Sequence, residues 1–393
     1  SVNSSYSHTN LAGWYLRAFT ADLRWDWETV ELIAGEEMAP VLDRIARAKP
    51  DVLAATFYVF NRNAVLSVLR RYRMLACPAK SEEQIGQFEE RSADAGWRDT
   101  RRKCRILVGG PEFLGDNRKF LENEDCVDAV VRGEGEKAFR QLLIDHDRPE
   151  RWSGIPGFCG MVGGRYVDNG TAEEIEDLDI IPSPYGFLKA GTAFRKPFIQ
   201  IETSRGCRNR CAFCTTGRSG KVRYFSPARV RSDLQTVAAA GIRHVRLVDR
   251  TFNENAGRAT EFLTMFREEF GDIRFHLEVH PGMVGDALMS QFALARPGQF
   301  HLDAGVQSFG ARALRQSGRL GSAAATLRGL KRLCKCPPIA VHADLIAGLP
   351  GAALAQTFSD LRRLVSLKPA EIQLELLKIL PGTRLAAGSS TFK

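Results

Sequence analysis

The sequence predicts an α/β chain built in two parts. Three observations predict it. Strand-like and helix-like runs alternate over residues 1–150, which favours a parallel α/β sheet. Loop punctuation then dominates residues 151–196, with Gly154-Ile155-Pro156-Gly157, Gly163-Gly164 and Ile181-Pro182-Ser183-Pro184-Tyr185. From residue 197 to 393 the strand–helix period returns through six units.

In the first part the chain opens on Val2-Asn3-Ser4-Ser5-Tyr6-Ser7-His8, the C-terminal end of a strand whose remainder is expected to be nearly absent. A helix follows over about 10–23, then a strand at 28–33. Met38 to Ala48 is amphipathic, with Val41, Leu42 and Ile45 on one side. Asp51 to Phe57 is a buried strand ending in Tyr58-Val59-Phe60-Asn61, and a helix runs from Ala64 to Tyr72. After the polar stretch 79–103, the strand Arg105 to Val108 closes in Gly109-Gly110-Pro111-Glu112. Val127 to Val131 is the next strand, and Arg132-Gly133-Glu134-Gly135-Glu136 opens the helix after it. Within 151–196, Met161-Val162 and Tyr166-Val167 suit a small hairpin around Gly163-Gly164 in a linker. The second part has strands at 198–203, 244–248, 274–279, 301–306, 340–346 and 371–377, with helices between them such as 227–240 and 256–269.

Cys207, Cys211 and Cys214 stand at a C-x₃-C-x₂-C spacing just after the first strand of the second part. Thiolates are soft ligands that suit iron–sulfur clusters. Three local cysteines on a four-iron cluster leave one iron open to chelate a small molecule. A structural zinc loop wants four ligands in paired hooks, and no second hook follows at a fitting distance.

This spacing, with Phe213 before the third cysteine and Ser204-Arg205-Gly206 leading in, resembles the radical S-adenosylmethionine (radical SAM) superfamily. The resemblance implies a [4Fe–4S] cluster on Cys207, Cys211 and Cys214, with SAM on the open iron. One electron then cleaves a C–S bond and leaves a carbon radical. It also implies that the six units form a partial (β/α)6 barrel, with chemistry at the C-terminal strand ends. Asp249-Arg250-Thr251-Phe252-Asn253 takes the place where relatives hold the amino-acid end of SAM, often with Gly-Gly-Glu. Glu278 and His280 end the third strand, and His280 is the candidate acid or base. Gln307 and Ser308 fall where relatives contact the ribose, and Asp344 lies on the strand leading to the adenine-side Gly348. Barrel strands also send polar residues inward to fill layers. Glu278, Asp303 and Asp344 carry that reading as well, and His280 and His342 can be packing residues. Cys334-Lys335-Cys336 precedes the fifth strand, at the far end from the cluster, and reads as loop thiols.

The strand ends of the first part resemble, in order and spacing, the Rossmann-like cobalamin-binding domain that precedes many radical SAM domains. The resemblance assigns cofactor contacts to Ser5, Tyr6, Tyr58, Phe60, Asn61, Gly109, Gly110, Glu112, Gly133, Glu134, Gly135 and Glu136. Ligands of open parallel sheets sit beyond the C-terminal strand edge. The Asp-x-His-x-x-Gly loop that ligates cobalt in other cobalamin proteins is absent, so any cobalamin is expected without a histidine below the metal. A domain kept for architecture or substrate binding is the alternative. The expected domains are therefore 1–150 cobalamin-binding-like, 151–196 linker and 197–393 radical SAM barrel. The expected activity is methyl transfer to a small-molecule substrate by way of cobalamin. The alternatives are a cobalamin-free radical rearrangement, transfer of another SAM fragment such as 3-amino-3-carboxypropyl, or a non-catalytic sensor. Such chemistry implies a low-potential electron donor such as a flavodoxin or ferredoxin.

With 393 residues, 44% hydrophobic and 26% charged, the chain has the make-up of a globular protein rather than a disordered one. Nine cysteines without secreted-type pairing fit a reducing cytoplasm. No apolar run reaches the length of a membrane span. The net charge of +9 includes Arg98-Asp99-Thr100-Arg101-Arg102-Lys103, which reads as a solvated face rather than a nucleic-acid footprint. Relatives often continue beyond the sixth unit, so the segment that reads the substrate is expected beyond Lys393.

Overall fold

The computed structural model describes residues 2–3, 10–33, 36–76, 104–188, 196–216 and 220–388. They form two compact units, Ser1–Ile175 and Glu176–Lys393. No described helix is long and apolar enough to cross a membrane.

The first unit runs β1 (Val2–Asn3), α1 (Leu11–Phe19), β2 (Leu32–Ile33), α2 (Ala39–Ala48), β3 (Val52–Thr56), α3 (Arg62–Ala76), β4 (Arg105–Gly109), α4 (Arg118–Asn123), β5 (Ala129–Val131), α5 (Glu136–Ile144), β6 (Phe158–Val162) and β7 (Arg165–Asp168). β1 and β2 pair in parallel, and a five-stranded sheet has the order β3-β4-β5-β6-β7. β3, β4 and β5 are parallel, while β6 and β7 add antiparallel. Successive residues of β4 face opposite sides of the sheet. Ile106 and Val108 pack with Leu42, Ile45 and Leu69 of α2 and α3, while Leu107 packs with Phe139 and Leu142 of α5. Burial on both faces explains the near-continuous apolar run of this strand.

The stretch 151–196 is not a linker throughout. The expected hairpin exists, but it belongs to the first sheet. Trp152 and Phe158 are fully buried. Arg132 makes two 2.8 Å hydrogen bonds to Asp168, joining the end of β5 to β7. Antiparallel addition needs only short turns, whereas the βα pattern searched for in the sequence marks parallel neighbours. The unit boundary accordingly falls after Ile175. The strand expected at 28–33 shortens to β2, and Ser5, Tyr6 and the polar stretch 79–103 lie outside the described residues.

The second unit contains β8 (Ile199–Ile201), β9 (Ser204–Gly206), β10 (Val222–Tyr224), α6 (Pro227–Ala239), β11 (His244–Leu247), α7 (Ala256–Glu268), β12 (Arg274–Val279), α8 (Asp286–Ala293), β13 (Phe300–Gln307), α9 (Ala311–Gln316), α10 (Ala323–Cys334), β14 (Ala340–Ala347), α11 (Leu354–Ser366), β15 (Glu371–Leu376) and α12 (Arg384–Ala387). Six parallel strands follow the order β8-β11-β12-β13-β14-β15, as the six-unit reading expects. Strict alternation along β13 and β14 buries Leu302, Ala304 and Val306 under the helices, with His301, Asp303, His342 and Asp344 on the other face. Phe275 stacks on Phe266 of α7 at 4.2 Å between ring centroids. Ser226, Asn255, Ser322 and Thr383 cap the helices that follow them, each accepting a backbone N–H.

Candidate functional site

Cys207, Cys211 and Cys214 share the loop between β9 and β10, whose antiparallel ladder closes the base of the loop. The turn into it demands glycine. Gly206 has φ +95, and a Cβ there would lie 2.1 Å from the Lys221 carbonyl oxygen. Neighbouring backbone fixes the rest. Ala212 N–H donates to Ser317 O at 2.7 Å, Leu385 N–H donates to Ala212 O at 2.9 Å, and Leu320 N–H donates to Asn209 Oδ1 at 3.0 Å.

Polar hydrogens surround the sulfurs. Asn209 Nδ2 donates to Cys207 Sγ at 3.7 Å, and Thr216 N–H donates to Cys214 Sγ at 3.4 Å. Thr251 Oγ1 lies 3.6 Å from Cys207 Sγ. Burial pushes the Cys211 thiol up, opposed by the charge of Arg319. The cysteines are free of disulfides.

The DRTFN segment behaves differently from the sequence expectation. Asp249 is buried, and both its oxygens are used. Oδ1 accepts from the backbone N–H groups of Thr203 (2.7 Å) and Ser204 (3.1 Å), and Oδ2 accepts from the Thr203 hydroxyl. Burial raises its pKa, against the pull of these hydrogen bonds. The carboxylate thus holds the β8–β9 corner and is not offered to a ligand. Asn253 exchanges two hydrogen bonds with the His280 backbone, at 3.0 and 2.8 Å. Arg250 is exposed and Thr251 half-buried. Of this segment, Thr251 is the side chain placed at a cysteine sulfur.

His280 is also satisfied. Its Nδ1 accepts from Gly282 N–H at 3.0 Å, which assigns the proton to Nε2, 3.1 Å from Leu320 O. Burial and the neighbouring Arg319 lower its pKa to about 4. A neutral imidazole with both nitrogens occupied is a turn cap rather than an acid or base. Ser308 donates to Asp360 of α11 at 2.5 Å and accepts from Gly310 N–H. Gln307 stands apart: it sits at φ +66, beside the register shift between β13 and β14. A left-handed non-glycine residue at a strand end is the kind of strain that aims a side chain.

Glu278, Asp303 and Asp344 share the non-helix face of the sheet. Burial raises Glu278, opposed by Arg250. Burial also raises Asp344, helped by its hydrogen bond to Asp303 and by the charges of Asp303 and Glu278. Asp303 is held low by its hydrogen bonds to His276 and Asp344 despite burial. Burial raises both Cys334 and Cys336, as suits inert thiols.

Sequence reasoning missed Glu254. Its carboxylate pairs with Arg208 of the cysteine loop and accepts from the Tyr224 hydroxyl of β10. The signal for it was a carboxylate one residue beyond the DRTFN run, which alone does not say which strand it reaches.

In the first unit, Tyr58, Gly109, Gly110, Gly133, Gly135 and Glu136 line one cavity of about 230 Å³ at the C-terminal sheet edge. A cleft of about 770 Å³ follows β3 between α2, α3 and α5. Tyr58 and Phe60 stack at 5.3 Å with 15° between planes, and both are exposed, Phe60 by 57%. Glu112 lies 3.8 Å from Arg62, and Glu134 is half-buried. Two expected contacts are turned inward. Asn61 accepts from Tyr58 N–H at 2.7 Å and donates to Thr56 O. Gly133, at φ +101, leaves room for Thr171 Cγ2, which a Cβ would meet at 2.7 Å.

Comparison with known proteins agrees with this geometry. Residues 201–362 match the profile of the radical SAM superfamily. The cobalamin-dependent radical SAM methyltransferase TokK of Streptomyces tokunonensis is 26% identical over 215 residues, covering 52% of this chain and 28% of TokK. The chain spans 30 and 38% of the lengths of two other methyltransferases that it matches. Ribosomal protein uS12 methylthiotransferase RimO of Moorella thermoacetica is 29% identical over 305 residues, covering 70% of this chain and 68% of RimO. The radical SAM methyltransferase TsrM of Kitasatospora setae, solved with cobalamin and a [4Fe–4S] cluster, superposes with a TM-score of 0.72 at 16% identity, over 98% of this chain and 73% of TsrM. That likeness is one of fold: a Rossmann-like unit followed by a parallel βα barrel unit. The match to the radical SAM superfamily thus lies in the second unit, over residues 201–362.

Proposed function

We propose that the chain is a radical SAM transferase that carries a methyl group to a small-molecule substrate with the help of cobalamin. Cys207, Cys211 and Cys214 would hold a [4Fe–4S] cluster. The carrying observation is the cysteine loop itself: three undisulfided thiols between paired strands, with N–H or O–H groups at the sulfurs of Cys207 and Cys214. Such donors suit cluster sulfurs. A cluster bound there supplies one open iron for SAM and the electron that breaks a C–S bond, drawn from a low-potential donor of the flavodoxin or ferredoxin type. Thr251 and Gln307 are the side chains assigned to SAM. Asp249, Asn253 and His280 position the strand ends around them.

The first unit fits cobalamin on its own observations. Stacked, exposed Tyr58 and Phe60 offer an apolar platform for a flat macrocycle, beside a cavity lined by Gly109, Gly110 and Gly135. The larger cleft has the volume of a cofactor pocket, with apolar side chains such as Val41, Ile45 and Leu69 beside charged ones such as Arg24 and Glu28. Cobalamin bound there supplies a methyl carrier. A cobalamin-free reading, transfer of another SAM fragment or rearrangement, is favoured by Asn61 and Gly133, which serve their own loops.

Anaerobic reconstitution, reduction with SAM, and mass analysis of every SAM fragment, with and without hydroxocobalamin, tests both readings. About four irons and four sulfides per chain are expected, and Cys207→Ala, Cys211→Ala and Cys214→Ala together should abolish them. Retained cluster in that variant sinks the assignment. Failure to retain cobalamin after gel filtration removes the methyl-carrier role. Bound cob(II)alamin should show no nitrogen superhyperfine splitting from a protein imidazole.

A further inference from the structure

The N-terminal ends of β13, β14 and β15 bring together His301, His342 and Glu371, at the opposite end of the parallel strands from the cysteine loop. His301 is the second residue of β13 and Gln307 its last, a separation of roughly 20 Å along the strand. Register places His342 beside Glu371 and His276 beside His301.

The wiring of the imidazoles is specific. His276 Nε2 lies 3.8 Å from Asp303, and its Nδ1 lies 3.2 Å from His301 Nδ1. That turns His301 Nε2 toward Glu371 Oε1 at 3.8 Å. This nitrogen is buried and has no hydrogen bond among the described residues. His342 is arranged the same way: Nε2 faces Asp344 Oδ1 at 3.3 Å, and Nδ1 faces Glu371 Oε2 at 3.6 Å. His301 therefore has one nitrogen in contact with His276 and the other aimed at Glu371, while His342 lies between Glu371 and Asp344 Oδ1, a buried oxygen with no hydrogen bond among the described residues. The donor atoms of His301, His342 and Glu371 lie within 4.8 Å of one another. Separations of 3.6 and 3.8 Å are too long for hydrogen bonds. They are close to the spacing of about 3.4 Å between ligands that share a tetrahedral ion at ~2.1 Å.

We propose that His301 Nε2, His342 Nδ1 and the Glu371 carboxylate form a site for a divalent first-row transition cation, distinct from the cysteine cluster. Two imidazoles and a carboxylate suit zinc, iron, manganese or nickel. His276 is the positioning residue that fixes the orientation of the His301 ring, as outer partners of metal-bound histidines do, and the Asp344 carboxyl lies beside His342. Three protein donors leave a position for water. An ion there would tie edge strand β15, five of whose six residues are exposed, to β13 and β14. This assignment does not rest on the cluster or on cobalamin.

The test is zinc titration of the cluster-reconstituted protein, with zinc and iron counted separately by elemental mass spectrometry. About one zinc per chain is expected to survive gel filtration, and Tm should rise with zinc. Glu371→Gln, at an exposed position, and His342→Ala should each lower zinc affinity at least tenfold and remove the rise in Tm. His276→Ala should lower it about tenfold, the usual effect of losing an outer partner. Near-ultraviolet circular dichroism checks the fold, and if His342→Ala unfolds, Glu371→Gln decides. Cobalt(II) added to the triple cysteine-to-alanine variant should show nitrogen–oxygen coordination without a thiolate charge-transfer band. No saturable zinc, unchanged affinity in Glu371→Gln, or a thiolate band overturns the site.

Discussion

The two units differ in the side chains that their strand ends expose. At the strand ends of the second unit the polar groups are buried and answered from within: Asp249 by Thr203 and Ser204, Asn253 by the His280 backbone, Ser308 by Asp360. At the sheet edge of the first unit two aromatic side chains, Tyr58 and Phe60, are exposed and stacked on each other. A polar residue after a barrel strand therefore says little about a ligand until its hydrogen bonds are counted. An exposed aromatic pair at a sheet edge says more, because leaving it in water costs apolar burial.

Asp249→Ala sharpens this comparison most. It leaves two buried backbone N–H groups and one hydroxyl without an acceptor, a loss of roughly 3 kcal/mol or more. Denaturant titration should show it, together with lower iron loading because the corner leading into the cysteine loop loosens. Normal stability with weakened SAM binding would restore the ligand role that the sequence suggested.

His280 gives a smaller, pH-dependent effect. Its pKa falls from 6.5 to about 4 on folding, so the unfolded chain binds the extra proton between those values. Its contribution is intact above pH 6.5 and is lost as pH drops toward 4, by up to about 3 kcal/mol. Denaturation at pH 7 and pH 5 should show a steeper loss in the parent than in His280→Gln. Equal slopes would mean that the ring is not held neutral.

Much of this was legible in the sequence. The Cys207–Cys214 spacing and the six strand periods are local patterns, so they survive without tertiary knowledge. The antiparallel β6–β7 addition was not legible as part of the sheet, because a hairpin looks the same whether it stands free or joins a neighbour. The backbone hydrogen bonds of Asp249, Asn253 and His280 were not legible for one physical reason. Residue type gives donor and acceptor capacity, but only the fold decides whether backbone or ligand uses it. Glu254 was missed because its partners, Arg208 and Tyr224, are distant in sequence.

The smallest stability effect should accompany a large binding effect. Tyr58 and Phe60 are 37 and 57% exposed, so replacing both with alanine removes partly buried area and one ring stack and should lower stability by about 1–2 kcal/mol. If their exposed faces are a platform for cobalamin, the same double variant should lose hydroxocobalamin on gel filtration while keeping its iron and sulfide. The cysteine loop belongs to the other unit, so a joint loss of cluster and cobalamin would mean misfolding rather than a lost contact. Full cobalamin retention in a stable double variant would free the Tyr58–Phe60 stack from that role and leave the glycine-lined cavity as the remaining candidate.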